Sequence, residues 1–104
     1  MADRFVDTVA HEIAEEKAGS LGRAGVRLMH ALERFRAHEQ STEAERSHAR
    51  RERLLWDLVE RVESFVVQRE ACGLRDSRHA LAYYGVPKEA VARVGARRPA
   101  RMSV

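Results

Sequence analysis

The sequence predicts an all-α protein: a long antiparallel helical hairpin followed by two short C-terminal helices, paired into a dimeric helical bundle. Three observations predict it. Apolar residues recur at helical spacing along two long stretches, glycines and a proline punctuate the last third at helix-end positions, and no segment alternates apolar and polar residues between turn signals. A length of 104 residues fits one domain with a modest core. We expect a single helical domain over 1–95 and a flexible basic tail over 96–104, where Pro99 follows the last patterned residue.

The first helix is expected from about Asp3, as its cap, to His38. Val6, Val9, Ile13, Leu21, Ala24, Leu28, Ala31 and Phe35 form its apolar stripe. Gly19, Gly22 and Gly25 lie inside it, each costing about 1 kcal/mol against alanine. They allow either a break or a close approach by a neighbouring backbone. The stripe keeps its phase across them, which favours one continuous helix. Thr42 and Glu45 match a capping box, so a second helix is expected to begin there and to end near Cys72, where Gly73 and Leu74 supply a left-handed stop and its apolar clasp. Its apolar face is Leu55, Leu58, Val62, Phe65 and Val66. The polar run Glu43–Glu52 is expected to project beyond the core or to lie on a partner. Asp76 can cap a third helix over Ser77–Tyr84, and Pro87 opens a fourth that ends before Gly95.

Two helices of such length shield only part of each other. Met29, Trp56, Val59 and Val67 would stay wet unless the C-terminal helices or a second chain covered them. This predicts a homodimer, with Leu28, Phe35, Leu55, Leu58, Val62 and Phe65 as the packing residues of the hairpin and the bundle.

Charge excludes less than it first suggests. The chain carries a formal net charge of +3, but Arg93, Arg97, Arg98 and Arg101 all follow the last acid, leaving Met1–Ala92 with 15 basic against 16 acidic residues. The excess basicity therefore belongs to the tail and not to the folded surface. The first ten residues include Asp3, Arg4 and Asp7 with no apolar run, and Cys72 is the single cysteine. Together they predict a cytoplasmic protein with no membrane segment and no internal disulfide.

Motifs that could carry chemistry are incomplete. His11–Glu15 reads HEIAE, in which Glu15 stands where a zinc-protease helix has its second histidine. Glu45 and His48 make one copy of the acid–histidine spacing that di-iron bundles use twice, and Asp76 with His79 is a poor second. Cys72 at a helix C-terminus faces the negative end of the dipole, a poor place for a nucleophile. We expect no catalytic residues, no cofactor, no bound metal and no enzymatic activity.

Ala82–Val94, AYYGVPKEAVARV, is similar to the helix-turn-helix of lactose-repressor-type regulators. That resemblance implies DNA binding by 77–94, with Lys88, Arg93, Arg97 and Arg98 toward the nucleic acid. Pro87 stands where those regulators place a hydroxyl cap, and Glu89 would meet phosphate with the wrong sign. Over most of its length, through EEKAGSLGRAG at Glu15–Gly25, VQREACGLRDS at Val67–Ser77 and YYGVPKEAVARVG at Tyr83–Gly95, the chain resembles a family of short uncharacterised bacterial proteins. The resemblance implies a helical fold and assigns no activity. The functional expectation is thus a non-enzymatic interaction or scaffold protein acting as a homodimer, with DNA binding as the alternative.

Overall fold

A computed structural model describes the backbone of residues 2–100 and the side chains of 4–100. Four helices follow in order: α1 (Ala2–Glu39), α2 (His48–Ala71), α3 (Arg78–Tyr83) and α4 (Lys88–Ala92). Among the described residues there is no strand. The cap expected of the Asp3 side chain lies outside the described residues.

α1 runs unbroken through Gly19, Gly22 and Gly25 for 38 residues, about 57 Å. Its stripe explains why. Ala24, Leu28, Ala31, Leu32 and Phe35 all bury against Leu55, Leu58, Val59, Val62 and Phe65 of α2, and this shared burial outweighs the glycine cost. A close backbone approach is not what the glycines serve within the chain, because a Cβ built at Gly22 would meet nothing among the described atoms and one at Gly25 would make ordinary contact with Phe65.

α2 starts later than its sequence suggests. The Thr42 N–H does donate to Glu45 Oε2 at 3.2 Å, but the turn there stops at Arg46. Between Thr42 and Ser47 only Ala44 is apolar, so extending the helix would bury nothing. Ser47 becomes the cap instead, its Oγ accepting from Arg50 N at 3.1 Å. At the far end Leu74 N donates to Arg69 O and Gly73 N to Glu70 O, both 2.9 Å, with Gly73 at φ +80°. This is the left-handed stop expected.

The C-terminal helices are short and fold back on the hairpin. Ser77, not Asp76, precedes α3; Asp76 itself takes a left-handed φ of 55° and accepts from Arg78 Nε at 3.1 Å. Leu81, Val86 and Ala90 bury on the hairpin, and Tyr84 meets Phe65 edge-on at 5.7 Å. Arg36 reaches from α1 to donate to Tyr84 O at 3.1 Å and Gly85 O at 3.3 Å, fixing the α3–α4 corner. Trp56 and Val59, two of the residues that hairpin geometry alone would leave wet, are thereby covered within one chain, whereas Val67 stays exposed.

Candidate interaction surface

The two long helices differ in length, 38 residues against 24, and the difference falls at the start of α1. α2 ends opposite Lys17, whose carbonyl lies 3.5 Å from Cys72 Sγ. Residues 4–17 therefore extend past the hairpin as an arm. The polar run Glu43–Glu52 is exposed as far as Arg50, as expected, while its Arg51 and Glu52 are tied into the C-terminal layer. Phe5 is 72% exposed, Val6 61%, Ile13 50% and Val9 36%. Val6, Val9 and Ile13 lie close in phase with Ala24, Leu28 and Ala31 farther along, and Phe5 flanks them on one side. The core stripe of α1 thus continues for about 21 Å beyond the helix that covers it.

The rest of the arm is polar and locally paired. His11 Nε2 lies 2.9 Å from Glu15 Oε1, and Arg23 donates to Glu16 Oε1 at 3.2 Å. HEIAE is therefore a solvated helix face. Below the arm, Leu21, Gly22, Gly25, Met29, Phe65 and Tyr84 line an open groove of about 510 Å³, with His30, Glu33 and Arg69 at its rim.

The opposite end is closed by arginine–carboxylate clamps. Arg51 donates from Nε to Glu39 at 2.9 Å and from a terminal nitrogen to Glu89 at 2.8 Å, joining α1, α2 and α4. The hydrogen bonds from Glu89 and then Glu39 raise the Arg51 pKa further, and the Arg51 hydrogen bond holds Glu39 below the usual carboxylate range. Arg93 grips Glu52 through two bonds of 2.9 and 3.2 Å and lies 5.0 Å over the Trp56 ring. That grip lowers the Glu52 pKa. Arg98 donates to Asp57 and Glu60, each at 3.0 Å, so the chain beyond α4 is strapped along α2 at that point.

The residues singled out in the sequence now have places. Leu28, Phe35, Leu55, Leu58, Val62 and Phe65 are all buried inside the single-chain core. Of the four residues proposed for nucleic acid, Arg93 and Arg98 have carboxylate partners, while Lys88 and Arg97 are exposed. Among the described residues no three His, Cys, Asp or Glu side chains gather as a metal site would require, and Glu45 and His48 are both exposed. No helix in the described residues is long and apolar enough to cross a membrane.

The sequence-based reading missed the arm and the clamps. The signal for the arm was present, since the α1 stripe begins at Val6 and is longer than that of α2. The clamps left no local signal, because their partners lie 12 to 41 residues apart in the chain.

The same helical chain is matched from residue 2 to residue 101 by the family of unknown function DUF6665. It belongs to DUF6665. No curated protein and no solved structure matches the chain. For this DUF6665 member, the functional reading therefore rests on the surface described above.

Proposed function

We propose that this DUF6665 protein is a non-enzymatic helical interaction protein that works as a homodimer, a scaffold and not a catalyst. One observation carries the reading: an apolar helix face, Phe5, Val6, Val9 and Ile13, stands in water beyond the core. Scattered apolar residues on a surface need no explanation, but a contiguous row continuing a core stripe marks a binding face. Its chemistry favours protein over nucleic acid or lipid. Asp7, Glu12, Glu15 and Glu16 outnumber Arg4 and Lys17 on the same arm, which repels phosphate-bearing partners.

DNA binding through 77–94 has less support. α4 spans five residues, Glu89 is held by Arg51, and the charges of Arg93 and Arg98 are already met within the chain. Light scattering on the eluting full-length protein tests the reading. Twice the chain mass, shifting toward one chain mass on dilution, is the expected result; one chain mass at all concentrations would remove self-association. A gel shift at low salt is expected to show no retardation of duplex DNA.

A further inference from the structure

We infer that the occupant of the exposed arm is the arm of a second copy, lying antiparallel across a two-fold axis near Val9 and Ala10. The inference rests on the self-association reading above and specifies its interface. Three features of the molecule carry it.

The first is length. α2 covers α1 only as far as Lys17, so a helix about 14 residues long, running antiparallel to α1 as α2 does, would continue that cover over the rest of α1. The partner's own residues 4–17 form such a helix, with the same apolar row. Laid antiparallel, each arm fills the other's gap, and the assembly closes at two because the same patch is used twice. Head-to-tail seating of an arm in the Leu21–Tyr84 groove would instead leave one groove and one arm open at the ends. The groove also lies on a different side of α1 from the arm's apolar row, so a two-fold exchange of arms into grooves does not close.

The second is register. With the axis between Val9 and Ala10, Val6 faces the partner's Ile13 and the two copies of Val9 flank the axis. Apolar side chains then meet one another at each level of the row, as helix packing needs.

The third is area. Two helices in contact over about 21 Å bury on the order of 1,000 Å² in total, the lower end for a specific interface. A dimer held by this contact forms and separates with concentration and leaves the two hairpins at opposite ends of a rod.

Full-length chains carrying Cys72→Ser supply the test, with Val9→Cys beside the axis and Val26→Cys as a control in the Leu21–Tyr84 groove, where Val26 is 56% exposed. A disulfide requires Cα atoms within about 7 Å. Under mild oxidation Val9→Cys is expected to give a covalent dimer and Val26→Cys to give none. Ile13→Asp in the otherwise native chain is expected to run at one chain mass with unchanged helix content, since Ile13 touches no core residue. Cross-linking of Val26→Cys as readily as Val9→Cys, or a dimeric Ile13→Asp, would overturn the arm pairing while self-association stood. A wild-type chain that is monomeric at every concentration would overturn both.

Discussion

His38 is the one polar side chain in the buried set, and neither of its ring nitrogens finds a hydrogen-bond partner among the described residues. Glu39 Oε1 lies 3.5 Å from Nδ1, too far for a hydrogen bond. A buried donor and acceptor left unmet cost more than an apolar group of similar size. His38→Leu is therefore expected to raise stability by about 1 kcal/mol, read as a higher urea midpoint at unchanged slope. Two glycines of α1 and the α3–α4 corner give opposite signs for the same substitution. Gly22 is helical with open space where a Cβ would go, so Gly22→Ala should stabilise by about 0.5–1 kcal/mol. Gly85 has φ +72° and a Cβ there would fall 2.6 Å from the Arg36 guanidinium, so Gly85→Ala should destabilise by about 1–3 kcal/mol and release Arg36 from Tyr84 O. Thermal melts of the two variants should move in opposite directions.

At the scale of elements, α2 is the organiser, packing α1 on one side and α4 on another. The apolar part of that second contact is small, namely Val86, Ala90 and the ring of Trp56, and the arginine clamps supplement it. The lowered pKa values of Glu52, caused first by Arg93, and of Glu39, caused first by Arg51, give the layer a pH dependence of defined sign. A carboxyl whose folded value is depressed contributes its stabilisation above its ordinary value of 4.5 and loses it as pH falls through the depressed one. Both carboxyls are partly solvated, so solvent screening keeps the effect modest. The C-terminal layer is expected to loosen below pH 4.5 while the hairpin stays helical. Trp56 is the only tryptophan and sits under Arg93, so its emission should shift to the red in that window before helical ellipticity falls. Coincident changes in the two signals would contradict a separately tethered layer.

The whole molecule is a rod of 67 × 28 × 20 Å with a radius of gyration of 17.6 Å. A compact chain of this length would have about 13 Å. The excess reflects the arm, which gains no tertiary packing from its own chain and must rely on helix propensity and local pairs such as His11 with Glu15. A steep gradient of protection along α1 follows. In the Ile13→Asp chain, amides of residues 5–13 should exchange orders of magnitude faster than those of Leu28–Phe35, whose side chains are buried. Uniform protection across α1 would contradict an arm supported only by itself. The wild-type chain at high concentration should recover protection in 5–13.

Periodicity alone determined the all-helical class, the unbroken α1, the glycine stop after α2 and the six hairpin core residues, because amphipathic spacing and left-handed glycines act over a few neighbouring residues. The start of α2 was misplaced because the Thr42–Glu45 cap is locally sound, and only the absence of anything to bury moves the helix on to Ser47. Which stretch is left uncovered, and which arginines are already neutralised, were decided by tertiary structure. Both depend on where α2 stops along α1 and on carboxylates some forty residues from their arginines, and a single chain read in order carries no distance between such groups.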